Sequence, residues 1–139
     1  MKILLDTDIL IDVALDRKPF SDDASLLLDK IEMRYADGFI AWHSLSNVYY
    51  ICSSSVDDRK LKEFLKGLIK FVSVSETSTK DASYALTLKM GDFEDAMQVS
   101  AAISCKADLI ATRNIKDFKN SPVAACLPRE VIKIIDKNL

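Results

Sequence analysis

A chain of 139 residues, 49% apolar and 29% charged with only three Gly and three Pro, has the make-up of one ordinary domain over residues 1–139, and excludes a disordered or collagen-like polypeptide. The net charge of −2 leaves no basic excess, which argues against a protein that coats nucleic acid through a cationic stripe. One histidine (His43) and three distant cysteines (Cys52, Cys105 and Cys126) exclude a CxxC pair, a His-rich zinc site and HExxH and argue against a disulfide framework; a Ser-His-Asp triad would have to rest on His43 alone, so carboxylates are the expected chemical groups.

The run Lys2-Ile3-Leu4-Leu5, ending at Asp6, predicts a buried strand. From about Asp8 to Leu15, the spacing of Ile9, Leu10, Val13 and Ala14 predicts a helix that Pro19 ends. Ser21 and Asp22 are placed to cap the next helix, which buries Ala24, Leu27, Leu28 and Ile31. Gly38 opens a second strand, 39–42, and residues 44–54 are helical, with Leu45, Val48, Tyr49 and Cys52 spaced for burial. A helix starting at Asp57-Asp58 carries Leu61, Phe64, Leu65, Leu68 and Ile69 inward, and residues 71–74 form a third strand. The next helix runs from about Thr79 to Met90, where Gly91 stops it. Asp92 to Cys105 is the clearest helix, with Ala96, Val99, Ala102 and Ile103 inward. A fourth strand spans 109–112, a short turn or helix 113–118, an edge strand 123–125, and Pro128 begins a last helix reaching Lys137.

This alternation predicts an α/β fold, a three-layer α/β/α arrangement around a central, mainly parallel sheet of 4–5 strands. The cysteines read as small buried hydrophobes and His43 as a helix-start or core residue. No apolar run is long enough to cross a membrane, and the amino terminus meets a charge at Asp6, too early for a signal peptide. We therefore expect a cytoplasmic protein without membrane contact.

Ligands of such sheets sit at the carboxyl ends of the strands. A parallel sheet could bring three acidic clusters to that edge: Asp6-Thr7-Asp8 after the first strand, Asp92-Phe93-Glu94-Asp95 before the clearest helix, and Thr112-Arg113-Asn114-Ile115-Lys116-Asp117 after the fourth strand. Converging carboxylates repel one another, and a hard divalent cation, Mg²⁺ or Mn²⁺, is their natural counter-charge. Structural roles stand beside this reading. Asp8 can cap the first helix, Asp92 with Asp95 can form a cap pair, and Asp117 can close a turn. Asp6 is hardest to assign to structure, because it ends an apolar strand at the ligand edge.

In order and spacing, these motifs resemble the PIN domain family. Asp6-Thr7-Asp8-Ile9-Leu10-Ile11-Asp12 is similar to its opening, Asp95-Ala96 with the Ala101-Ala102 helix to its central acidic motif, and Thr112 to Phe118 to its closing motif. The resemblance implies a PIN-like fold and a Mg²⁺- or Mn²⁺-dependent nuclease acting mostly on RNA, in a family with many toxins of toxin–antitoxin pairs. It carries metal binding and catalysis onto Asp6 and Asp95. Two usual acids are amides here, Asn47 and Asn114. Asp117 is expected to complete the metal set, with Asp8, Asn47, Asp92, Thr112 and Asn114 supporting it. Thr7 is a further candidate for holding water or phosphate. Arg113 and Lys116 are candidate phosphate clamps, and Arg17 and Lys18 weaker ones. Tyr49, Tyr50 and Ile51, with the family's habit of pairing, lead us to expect a homodimer or an antitoxin-bound form.

Two alternatives stand beside that reading. One is a PIN-like nucleic-acid-binding or scaffold module without catalysis, for which the two amides argue. The other is a haloacid-dehalogenase-like phosphatase, because Leu5-Asp6-Thr7-Asp8 resembles its nucleophile motif; Leu10 stands where that motif wants Thr or Val.

Overall fold

Ile3, Leu4 and Leu5 are all fully buried in β1 (Lys2–Leu5), as a strand covered on both faces requires. The computed structural model describes all residues, Met1–Leu139. In it β1 is the centre of a five-stranded sheet in the order β3-β2-β1-β4-β5, with β2 (Asp37–Ile40), β3 (Val72–Val74), β4 (Leu109–Ala111) and β5 (Ala125–Cys126). Every pairing is parallel. The α/β class and the parallel five-stranded sheet flanked by helices agree with the sequence reading.

Side chains alternate across the sheet and divide the core. Ile3 and Leu5 of β1 point into a large cluster with Leu109 and Ala111 of β4. Helices α1 (Thr7–Ala14), α2 (Phe20–Glu32), α3 (Trp42–Cys52), α4 (Asp58–Leu68) and α7 (Pro128–Lys137) supply most of the rest, with Ile40 of β2 and Val72 of β3. Leu4 and Ile110 point the other way, into a smaller cluster with Val99, Ala101 and Ala102 of α6 (Phe93–Ser104) and with Phe118. Helix α5 (Thr79–Thr87) packs on α6 outside that layer. No helix is long and apolar enough to cross a membrane.

Several expected details shift. The second strand begins at Asp37 and ends at Ile40, because its register places Gly38 opposite Ile3. Gly38 thus lies within the strand, where a Cβ would come within 2.8 Å of Ile31 Cγ2. It permits the close approach of α2 to the sheet rather than opening a turn. Helix α5 ends at Thr87, short of Gly91, since Leu88 turns extended and packs against the smaller cluster. Ser21 does not cap α2; it is buried inside the helix, and its hydroxyl donates to Asp16 Oδ1 at 2.7 Å. The last strand lies at 125–126 rather than 123–125. Ile69 and Ile103, expected inward, are exposed: α4 stops at Leu68, and Ile103 lies on the outer side of α6. Cys52 is buried as expected, whereas Cys105 and Cys126 are half-buried; all three are free thiols.

Ile31 is itself fully buried and has no room to yield. Gly38→Ala should therefore destabilise the protein by about 1–3 kcal/mol through overpacking, seen as a lower urea midpoint with an unchanged slope. An unchanged midpoint would show that α2 can withdraw from β2 without cost.

Candidate metal centre

Chain direction reverses around β1: the chain leaves it first towards β2 and β3 and later towards β4 and β5 on the other side. The crevice at the carboxyl ends of β1 and β4 is therefore the topological switch point, where open α/β sheets bind ligands. Asp6 directly follows β1 and Thr112 directly follows β4. Thr112 Oγ1 donates to Asp6 Oδ2 at 2.8 Å and closes the crevice floor. Asp6 also caps α1, its Oδ1 accepting from Thr7 N at 2.8 Å. The helix cap first expected at Asp8 is thus Asp6, and the residue hardest to assign to structure has a structural role as well.

Helix α6 brings the second acidic cluster to the same place. Asp92 is its N-cap, Oδ1 accepting from Glu94 N at 2.7 Å. No capping bond engages Asp95, whose carboxylate is left to face the crevice; Asp6, Glu94 and Asp95 each offer an oxygen within 4.8 Å of the others. The third member of this group is Glu94, which the sequence reading did not nominate. Asp117 lies in an exposed 3₁₀ turn (Ile115–Phe118), outside the trio but near enough for its charge to act on Asp95.

Behind the trio lies a polar network. Gln98, fully buried and one turn from Glu94, places its amide nitrogen 2.7 Å from Glu94 Oε2, 2.9 Å from Ser44 Oγ and 3.0 Å from Thr7 Oγ1. Thr7 and Ser44 share a hydrogen bond of 2.9 Å. His43 Nε2 lies 2.5 Å from Glu94 Oε2, so the only histidine touches the site rather than merely starting a helix. Ser44, His43 and Gln98 had no local signal, save that a polar Gln98 falls on the buried stripe of α6. The amino-terminal ends of α1, α3 and α6 meet here, and their dipoles partly offset the negative charge.

Asp8 sits on the other flank. Its Oδ2 accepts from Asn114 Nδ2 at 2.9 Å and from Arg113 N at 3.3 Å, while Oδ1 is buried without a partner. Asn114 is thereby turned to Asp8, and Asn47 is half-buried on α3 with no side-chain hydrogen bond. The Arg113 guanidinium is directed to the fully buried Asp12, with Nε 2.5 Å from Oδ2 and Nη2 3.1 Å from Oδ1, and away from the trio. Arg17 reaches the same carboxylate at 2.8 Å. Lys18 pairs with Asp22 and Asp16 on the surface, and Lys116 is exposed without an ion partner.

Crowding moves the carboxyl groups towards neutrality. Burial, with Asp8 and Glu94 nearby, pushes Asp6 up to about 8, against the hydrogen bonds from Thr112 and Thr7. Burial first, then Asp92, Glu94, Asp117 and Asp8, raises Asp95 to about 7. Asp8 rises to about 6, mainly through burial. Hard oxygen donors, an unpaired buried carboxylate oxygen and carboxyl groups that resist ionising together suit a divalent cation.

A family model for the PIN domain matches residues 2–116. The chain belongs to the PIN domain family. PIN domains are usually nucleases and generally depend on divalent metal, and membership removes the phosphatase alternative. Solved structures share the fold. The chain is similar to VapBC-1 from nontypeable Haemophilus influenzae, with TM-score 0.69 and 16% identity over 93% of this chain and 99% of that one. It is similar to VapBC2 from Rickettsia felis bound to a promoter DNA fragment, with TM-score 0.68 and 20% identity over 91% and 98%. FitAcB from Neisseria gonorrhoeae has TM-score 0.61 and 17% identity over 91% and 98%. No curated protein sequence matches.

The raised carboxyl groups have a consequence for stability. From about pH 4 the folded PIN domain keeps protons that the unfolded chain has released, on Asp95 up to about pH 7 and on Asp6 up to about pH 8. Folding then takes up protons, and stability falls as pH rises through that window. In EDTA the melting temperature should drop from pH 5 to pH 8, and Mn²⁺ should restore it increasingly towards pH 8. Replacing both Asp6 and Asp95 by Asn should flatten the fall and abolish the Mn²⁺ gain. A full Mn²⁺ response in that double variant would put the metal elsewhere.

Proposed function

We propose that this PIN domain is a Mg²⁺- or Mn²⁺-dependent endoribonuclease of the cytoplasm, the toxin of a toxin–antitoxin pair. The observation that carries the reading is the gathering of Asp6, Glu94 and Asp95 within 4.8 Å at the switch point of the sheet. Asp6 and Asp95 would hold the cation with Glu94, and Asp117 would reach it directly or through water. When bound, the cation supplies a lowered pKa for water and a counter-charge for the phosphodiester. The protein's part is positional. Thr112 and Thr7 N hold the two oxygens of Asp6, and Gln98 and His43 hold Glu94. Asp92 starts the helix that presents Asp95, and Asn114 steadies Asp8.

An antitoxin partner is supported by the solved relatives, which are VapBC and FitAB complexes. Tyr50 and Ile51, exposed on α3, support association with a second copy or with that partner. A second reading, a PIN-like binding module without catalysis, rests on the amides at Asn47 and Asn114.

Cleavage of labelled RNA with Mn²⁺, by protein freed of any partner, tests the reading. Asp6→Asn should lower the rate at least about a hundredfold, the scale of losing one preorganised electrostatic group, and Asp95→Asn somewhat less. Asn114→Asp sets a carboxylate against Asp8. It should lower the melting temperature in EDTA and enlarge the Mn²⁺ gain. Protein that binds Mn²⁺ but cuts neither RNA nor DNA is the binding module instead; cleavage undiminished in Asp6→Asn belongs to another site or a contaminant.

A further inference from the structure

Beside the carboxylate crevice, between the starts of α2 and α7, lies a second cavity of about 330 Å³. Its apolar walls are Phe20, 43% exposed, and the rings of Pro19 and Pro128. Its charged walls are Arg113 and Arg129, with the carboxylate of Asp23 beside Arg129. Arg113 stacks 4.0 Å over the Phe20 ring and is fixed by the buried Asp12, which leaves its Nη1 without a protein partner. Arg129 donates from Nε to Asp23 at 3.2 Å, leaving both Nη groups without one. Asp12 is shared by Arg17 and Arg113, and Asp23 offsets Arg129. The cluster of three arginines and two aspartates therefore keeps one net positive charge next to a strongly acidic site.

Arg113 joins the cavity to that site along the chain. Arg113 lies between Thr112, bonded to Asp6, and Asn114, bonded to Asp8. A strand with its phosphodiester at the carboxylates would have a neighbouring nucleotide available to this cavity. We propose that the cavity is a nucleotide subsite for single-stranded RNA, taking one base against Phe20 and the prolines and its phosphate between Arg113 and Arg129. A base has to be unstacked and unpaired to enter, which is how sequence-reading RNA proteins engage their targets, and free guanidinium N–H groups are suited to phosphate oxygens. The inference rests on the ribonuclease reading for its substrate, but the pocket can be examined without metal or turnover.

The test is calorimetric titration of AMP into EDTA-stripped protein at low salt, with adenosine and inorganic phosphate in parallel. AMP should bind best, because it alone fills both walls. Arg129→Ala, whose side chain is 71% exposed and whose loss leaves the core untouched, should weaken AMP at least about tenfold and leave adenosine unchanged. Phe20→Ala, checked for folding by its melting temperature, should weaken both. With Mn²⁺, Arg129→Ala should raise KM for single-stranded RNA and spare kcat. AMP binding that is absent, or equal in Arg129→Ala, overturns the subsite even if RNA is cut. AMP binding lost in Arg129→Ala, in a protein that cuts no nucleic acid, upholds the subsite and removes the ribonuclease reading. Stripped protein that takes up no AMP, while Arg129→Ala loosens a purified antitoxin complex, makes the cavity a protein-docking pocket and overturns the proposal.

Discussion

The carboxyl group of Asp6 is held out of water at the mouth of the sheet, with groups of its own sign on two sides, and much of the local architecture answers the difficulty of keeping it there. Both of its oxygens are engaged, one by the first amide of α1 and the other by Thr112. The amino-terminal ends of α1, α3 and α6 bring partial positive charge to the same spot. These groups do not neutralise the cluster, and the buried Asp8 Oδ1 remains unpartnered. Buried polar groups of a folded protein are normally satisfied. Both exceptions, Asp8 Oδ1 and Gln98 Oε1, fall at this crevice, the surroundings that a ligand of opposite charge would suit.

The sheet makes this convergence possible because β1 is central. Asp6 follows it directly, Thr112 follows its neighbour β4, and α6 crosses the face carrying Leu4 and Ile110. Residues 6, 95 and 112 are far apart in sequence, yet each lies within a residue or a helical turn of an element buried in the core. Their positions are thus defined by packing rather than by mobile loops. Gly38 contributes from a distance, since the contact it allows with Ile31 seats α2 against β2.

A second electrostatic group sits beside the first with the signs reversed. Asp12 is wholly buried and bound by Arg17 and Arg113. Removing two charges from water is costly, and such pairs contribute little net stability; what this one supplies is position. It ties α1 to the loop after β4 and so steadies Thr112 and Asn114 against Asp6 and Asp8. In doing so it turns Arg113 away from the carboxylate trio and towards Phe20. The arginine read from sequence as a candidate phosphate clamp thus faces the neighbouring cavity.

What the sequence determined by itself was the periodic part. Burial on both faces writes continuous apolar runs at β1 and β4, and helical spacing marks α2, α4 and α6. The acidic motifs were legible because two of them follow strands, where parallel sheets place ligands, and the third opens the clearest helix. Strand boundaries were less so, since Gly38 looks the same whether it opens a turn or admits Ile31. Tertiary structure alone decided which acids meet. Glu94 and Asp117 are equally acidic neighbours of the motifs in sequence, but the first turn of α6 aims Glu94 into the crevice while the 3₁₀ turn leaves Asp117 outside the trio. His43, Ser44 and Gln98 entered the site for the same reason. Hydrogen bonds between residues 43 and 94, or 44 and 98, depend on how two helices cross the sheet, and no local pattern along the chain encodes that crossing.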